Sequence, residues 1–465
     1  MTINLKDLPV DVGVVYEGER IRSGDMFIEL GGPKVDYKAE LVRARKKEEI
    51  EDEKVIVIGR DIQELEEGSR VPFGVLVEIY GKKIEKDLEP VIERRIHDFI
   101  NYIHGMMHLN QRYDIWCRIS KEAKNSNLTF EDVGKAIIYL FKAEFSFIEK
   151  IQVTLMTDEK EIKKFYDDAV AVYNERDSRI RGMKDDEVEE FYSCTLCQSF
   201  APNHICVISP QRSSLCGALS WLDCRAAYKI DPEGSNFPIP KGDVIDGEKG
   251  EFSGVNEAIK ESSHGDLERI YMYSMFDFPH TSCGCFETIA FYMPEVDGVG
   301  IVDRNFKGEA INGLRFSTMA GQTGGGEQTV GFLGVGVNWM TSPKFLSADG
   351  GWERIVWIPS HIKERVKEFI PAEIHDKIPT EKDVKNLDEL KGFLEEKKHP
   401  IVERWVEEEV VEAAEEGLVP EVAAGEEMPI VSAPTMALPG TGGIKIILKN
   451  AKIYADKVII KKVEK

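Results

Sequence analysis

The stretch PVIERRIHDFINYIHGMM, residues 90–107, sets the fold class. Ile92, Ile96, Phe99, Ile100, Ile103 and Met107 recur at three-and-four spacing, so a helix built on it carries one apolar stripe along its length. Two runs of another kind precede it. KVIVIG (54–59) and FGVLVEIYG (73–81) are rich in β-branched residues and bounded by glycine, which predicts strands. Downstream, Thr129-x-x-Asp132 predicts a cap for a second helix on VGKAIIYLFKAEF (133–145). KIQVTLM (150–156) reads as another strand and 158–175 as a charged helix. Strand and helix in alternation point to an α/β layer fold with a partly parallel sheet over residues 1–185.

The chain has 465 residues, too many for one ordinary core, and 42% of them are apolar, enough to bury two or three. Its 83 acidic against 60 basic residues leave a net charge of −23, which repels the phosphate backbone that a nucleic-acid binder must neutralise. The start, MTINLKDLPVDVG, has no basic segment followed by an apolar one, and no apolar run approaches the roughly 18 residues of a membrane span. A soluble, cytoplasmic protein without nucleic-acid or membrane partners is expected.

Texture changes after residue 185. From 186 to 398 cysteine, glycine and aromatic residues crowd together, predicting long loops and the chemistry. Residues 403–427 then carry ten glutamates against one arginine, and 420–443 have linker composition. From Ile444 onward seven lysines stand against two acids, a basic tail that could form a hairpin. The expected organisation is therefore two main α/β domains, the second a loop-rich, cysteine-bearing metal-cluster domain. Its boundaries are 1–185, 186–398, an acidic segment and linker at 399–443, and an appendage at 444–465.

Of eight cysteines only Cys117 stands apart; the rest fall between residues 194 and 285. In CTLCQSFAPNHICVISPQRSSLC (194–216), Cys194, Cys197, Cys206 and Cys216 are spaced C-x2-C-x8-C-x9-C. Four thiolates suit a structural zinc or an iron-sulfur cluster. Only the first pair has the short spacing of a zinc knuckle, and this favours a 4Fe-4S cluster.

A second feature lies in FPHTSCGCFETIAFYMPEVDG (278–298), where Gly284 separates Cys283 from Cys285. Such a tripeptide can chelate one ion through both sulfurs and the deprotonated amides of Gly284 and Cys285. The rings it closes are nearly coplanar because peptide units are planar. An S2N2 plane prefers nickel(II) or copper(II) over tetrahedral zinc, and glycine has no Cβ to hinder the wrap. Each thiolate keeps lone pairs with which to bridge a second metal. Alone, the tripeptide is more often two buried cysteines; beside the four-cysteine set, chelation is the stronger reading.

Together with DFPHTSCGCFE (277–287) and the glycine-rich run at 318–363, the cysteine segment resembles acetyl-CoA synthase, the family that carries the A-cluster, over about residues 1–398. The resemblance implies that Cys194, Cys197, Cys206 and Cys216 hold a 4Fe-4S cluster, with Cys197 bridging to a proximal nickel. Cys283 and Cys285 would bridge two nickel ions, the backbone amides of Gly284 and Cys285 completing the distal one. The proximal site accepts nickel, copper or zinc. The implied reaction joins a methyl group, carbon monoxide and CoA into acetyl-CoA, or runs in reverse, and makes this an acyltransferase.

The implied partners are a corrinoid iron-sulfur protein as methyl donor, a carbon monoxide dehydrogenase component and a ferredoxin-type reductant. Bacterial members begin with an additional domain that docks the dehydrogenase. This chain is too short for it and so resembles the archaeal β subunit of the acetyl-CoA decarbonylase/synthase complex. The family also places an aromatic near the proximal metal, here Phe200, which with Cys197, Cys283 and Cys285 makes the catalytic set. An arginine-rich CoA contact in the first domain would fall on Arg43, Arg45, Lys46 and Lys47 of LVRARKKEE (41–49), with Trp116 near the nucleotide.

His204 and His280 receive no metal role, nor do Cys117 and Cys224, since buried thiols are common. Gly321, Gly324 to Gly326, Gly331, Gly334 and Gly336 are read as close packing around the cluster loops, a lone G-x-G being weak support for a dinucleotide site. Two readings compete with the enzyme: an electron-transfer or scaffold subunit whose Cys-Gly-Cys merely packs, and a structural zinc protein.

Overall fold

The strands expected from β-branched runs form one sheet in a computed structural model that describes residues 3–16, 21–32, 34–109, 115–198 and 201–405. The four strands run in the order Ala39–Ala44, Gly74–Tyr80, Lys150–Met156 and Lys54–Ile58. The two outer pairings are parallel and the central one antiparallel, so the sheet is partly parallel as expected. Side chains alternate across it. Ala39, Leu41 and Met156 pack with Ile162, Phe165 and Tyr173 of the helix Glu159–Ile180, whereas Val42, Val75 and Val153 face a larger core shared with Ile92, Ile96 and Ile137. Helices therefore cover both faces, the arrangement that buries a sheet's two apolar sides.

The helix predicted over 90–107 spans Glu89–Asn101 and ends early. Gly105, at φ 79°, turns the chain into a strand, Met106–His108, where Met107 is half-buried rather than part of a helical stripe. This strand belongs to a second four-stranded sheet with Trp116–Ser120, Met26–Gly31 and Arg70–Val71. The helix is also buried nearly all round: Glu89, Glu93, Arg94, Arg95 and Asp98 lie inside beside the isoleucines. Glu89 and Glu93 are held by Arg176 at 2.9 and 3.0 Å, and accept hydrogen bonds from the backbone of Ala44 and Val42. The second helix, Phe130–Glu144, begins at the expected Thr129–Asp132 capping box.

Beyond residue 185 short strands are joined by long loops. Cys206–Ile208, Glu190–Cys194 and Pro238–Pro240 form a three-stranded sheet, and Phe332–Val335, Thr288–Met293, Gly298–Asp303 and Ile355–Trp357 a four-stranded one. Asp185 is buried and accepts from Ser209, Gln211 and Tyr273, which ties the junction between the halves into the core. The described residues fall in one compact unit. The acidic segment begins as docked helix at 401–405, with Arg404 on Asp297 at 2.6 Å and Trp405 donating to the Val296 carbonyl. The rest of the acidic stretch, the linker and the basic tail lie outside the described residues.

Candidate metal centre

The sheet pairing Glu190–Cys194 with Cys206–Ile208 sets Cys194 directly opposite Cys206. Opposed residues of an antiparallel pair share a face with Cβ atoms about 5 Å apart, so two of the four expected ligands face one space. Cys197 follows in the turn after the first strand, and its carbonyl accepts from Ala201 N–H. Cys216 arrives on the loop before the helix Trp221–Ile230, its sulfur 3.4 Å from Ser214 Oγ. This loop is fastened to the Cys-Gly-Cys loop by Glu287, whose N–H donates to the Leu215 carbonyl at 3.1 Å.

Cys283, Gly284 and Cys285 precede the strand Thr288–Met293, and the thiols of Cys197, Cys283 and Cys285 lie within 4.8 Å of one another. The three thiols hydrogen-bond one another. Hydrogen bonds with Cys197 and Cys283 pull Cys285 well below the usual thiol range, and bonds to Cys197 and Cys285 push Cys283 up. Burial, and then the thiols of Cys197, Cys206 and Cys216, push Cys194 up as well; burial drives Cys206 to about 12. Buried thiols that oppose one another's ionisation are what a bound cation relieves, because metal replaces proton at sulfur. The donor set fits soft, sulfur-liganded metal.

Two arginines flank these sulfurs, and neither is evident from sequence. Arg94, from the helix Glu89–Asn101, directs Nη2 to Cys197 Sγ at 3.7 Å and Nη1 to Asp98 at 3.0 Å. Burial works against its charge, but Asp98 and the thiols of Cys197, Cys285 and Cys216 push it well up. Arg304 donates from Nη2 to the Gly284 carbonyl at 3.1 Å and from Nη1 to the Leu109 carbonyl at 3.3 Å. The sequence signal for Arg94 is slight: a charge on the helix face opposite the apolar stripe, whose partner lies on another segment.

Packing around the loops is close where the glycines predicted it. A Cβ on Gly336 would stand 2.4 Å from the Ser214 carbonyl, and one on Gly334 would press Phe286. Gly325 and Gly326 N–H donate to the carbonyls of Cys283 and Ser282. Gly321 and Gly325 are exceptions, an added Cβ at either meeting nothing within 4 Å. His280 donates from Nδ1 to the Thr281 carbonyl and accepts at Nε2 from Val207 N–H, so backbone engages both its nitrogens. Burial lowers His204 to about 4, keeping it neutral. Cys117 lies in the core of the first half, and Cys224 is buried against Asn236. Phe200 lies outside the described residues.

The expected CoA residues separate into two places. Arg45, Lys46 and Lys47 line an open cleft of about 490 Å³ with Tyr80 and Lys82; Arg45 is paired with Glu78 at 2.6 Å, and Arg43 precedes them on the strand Ala39–Ala44. Trp116 lies in a different, small cleft with Gly32, Lys34, Arg70 and Lys307, its indole N–H donating to Glu29 at 2.5 Å. Cations flank its ring, Arg118 at 5.0 Å and Lys307 at 5.5 Å from the centroid.

Among the described residues no helix is long and apolar enough to cross a membrane. Residues 8–162 match the family model described as CO dehydrogenase/acetyl-CoA synthase complex beta subunit, and 173–405 the model for the C-terminal region of the ACS/CODH beta subunit. The chain is 52% identical over 460 residues to the acetyl-CoA decarbonylase/synthase complex subunit beta of Methanothermobacter thermautotrophicus, covering 98% of this chain and 99% of the relative. It is 53% identical over 464 residues to that of Methanopyrus kandleri, covering 99% of each. To subunit beta 2 of Methanosarcina thermophila it is 52% identical, covering 98% of each. With the gathered thiols falling inside the second matched region and both regions on one chain, the protein belongs to the β-subunit family of CO dehydrogenase/acetyl-CoA synthase complexes.

Proposed function

We propose that this chain joins a methyl group, carbon monoxide and CoA into acetyl-CoA, and cleaves acetyl-CoA in reverse, at a nickel-nickel-4Fe-4S centre. One observation carries the reading: Cys197 from the first cysteine segment meets Cys283 and Cys285 from the second, all three sulfurs within 4.8 Å. Cys194, Cys197, Cys206 and Cys216 hold the cluster, and Cys283, Gly284 and Cys285 the nickel. When bound, this centre supplies an electron-rich metal at which carbon-carbon and carbon-sulfur bonds form.

The chain's own residues supply the rest. Cys197, Cys283 and Cys285 donate sulfur; Arg94 offsets the negative charge that thiolates accumulate at Cys197, and burial excludes water from the joined loops. Phe200, three residues past Cys197, screens the open face. In the first domain, 1–185, Arg43, Arg45, Lys46 and Lys47 hold CoA phosphates, which guanidinium groups bind in bidentate fashion, and Trp116 stacks on the nucleotide. The second domain, 186–398, carries the chemistry, followed by the linker and the tail.

Partners are a corrinoid iron-sulfur protein, a carbon monoxide dehydrogenase component and a ferredoxin-type reductant, in the cytoplasm. The names of the relatives, each a subunit of a complex, support partnership in an assembly. An anaerobic metal count combined with acetyl exchange between CoA and acetyl-CoA tests the reading. Active protein should contain nickel and iron; activity without nickel would end it.

A further inference from the structure

One peptide unit in the metal centre is engaged at both ends. Its oxygen, on Gly284, accepts from Arg304 Nη2 at 3.1 Å, and its nitrogen, on Cys285, lies 3.3 Å from Cys283 Sγ. Oxygen and nitrogen of a peptide are conjugated, so charge placed on one is shared with the other. We propose that Arg304 is a positioning residue for metal uptake: its guanidinium stabilises the charge that the Gly284–Cys285 peptide acquires when its nitrogen becomes a metal ligand. This rests on the reading of Cys-Gly-Cys as a chelate.

Charge balance says why such a residue is needed. A divalent nickel ion that takes two thiolates and two amide nitrogens displaces the two amide protons and whichever thiol protons remain, and these pass to the buffer; no electron moves. Two thiolates and two amide anions around a doubly positive ion leave a dianion, and a buried dianion is costly without opposite charge beside it. Arg304 is suited to that place. It follows the strand Gly298–Asp303, is anchored through Nη1 on the Leu109 carbonyl at 3.3 Å, and spreads over the Phe316 ring at 5.8 Å. Among the described residues it makes no ion pair with a carboxylate, so its charge is directed at the Cys-Gly-Cys backbone. A charged donor strengthens a hydrogen bond most when the acceptor gains charge. Arginine, unlike lysine, stays charged when buried and reaches two carbonyls at once.

Zinc separates this role from simple packing. Tetrahedral zinc binds through the thiolates and leaves the amide protonated, so it does not call on the Gly284 carbonyl. The full chain, stripped of nickel with its iron retained, is titrated anaerobically at one fixed pH with nickel(II) and separately with zinc(II). The readouts are each dissociation constant and the ligand-field absorption of square-planar nickel. Arg304→Met should weaken nickel at least ten-fold and diminish that band, with zinc affinity and the iron-sulfur absorption unchanged. Arg304→Lys should lose less, again for nickel alone. Nickel bound by Arg304→Met as tightly as by wild type would overturn the proposal, and so would equal losses of nickel and zinc. If Arg304→Met fails to keep its iron, Arg304→Lys carries the same comparison. A wild-type chain that takes up nickel without the square-planar band would sink the chelate reading, and this proposal with it.

Discussion

At the scale of single residues, the proposed chelate divides its work between the Cys285 side chain and the Gly284–Cys285 backbone. Cys285 is the thiol whose neighbours favour the ionised form, by hydrogen bonds from Cys197 and Cys283. Cys285→Ser should abolish acetyl exchange and weaken nickel by more than ten-fold, while the iron-sulfur absorption of the four-cysteine set persists. Loss of the cluster along with nickel would show instead that the serine disturbs the whole loop. Gly284 is constrained by conformation, not space: nothing lies within 4 Å of an added Cβ, but φ is 128°. A side chain there costs about 1–3 kcal/mol of backbone strain. Gly284→Ala should therefore fold with a lowered melting temperature and take up nickel poorly.

Among the elements, the helix Glu89–Asn101 decides most. It is buried on nearly every side, and its acids survive there because Arg176 reaches across from the helix Glu159–Ile180. Removing one partner strands buried charge, a loss of roughly 3–5 kcal/mol. Arg176→Met should lower the unfolding free energy from urea melts by that amount and, because the same helix carries Arg94 to Cys197, also loosen the proposed metal centre; iron retention on dialysis reads the second effect. The helix Phe130–Glu144 has a different constraint. Gly134 lies against Val55, where a Cβ would come within 2.4 Å. Although alanine is the better helix former, Gly134→Ala should destabilise by about 1–3 kcal/mol through overpacking. A stabilised variant in urea melts would contradict this contact.

Over the whole molecule, acid sensitivity has an identifiable contributor remote from the metal centre. His399 donates from Nε2 to the Ile355 carbonyl at 3.1 Å and accepts at Nδ1 from Ile401 N–H at 3.1 Å, a pattern only the neutral ring satisfies. Burial lowers it to about 4, whereas in the unfolded chain histidine titrates near 6.5. Between these values the unfolded chain binds more protons, so stability is full above about pH 6.5 and declines as pH falls toward about 4. At about 1.4 kcal/mol per unit, roughly 3 kcal/mol is involved. His399→Gln should show a flatter fall of melting temperature over that window than wild type, with little difference in slope above it.

Features encoded at short range are legible along the chain. Runs of β-branched residues mark the strands Lys54–Ile58, Gly74–Tyr80 and Lys150–Met156, because a pleated, buried surface selects them locally. Thr129 and Asp132 mark a helix start for the same reason: a cap is completed within one turn. Cysteine spacing belongs here too, since the chelate proposed for Cys283 and Cys285 closes across a single glycine. The rest depends on packing in three dimensions. The apolar spacing of 90–107 runs past the helix end because isoleucine and methionine serve a turn and a strand in the same core. Arg45 to Lys47 and Trp116 sit in separate clefts because the first follow the strand Ala39–Ala44 of one sheet and the second begins a strand of another. Nothing in the sequence around Arg94 and Arg304 marks them, and their meaning comes from a sulfur 103 residues away and a backbone carbonyl 20 residues away. Periodicity and motif record what a segment does with its neighbours in the chain; a charge buried against a distant loop is specified by the packing that brings them together.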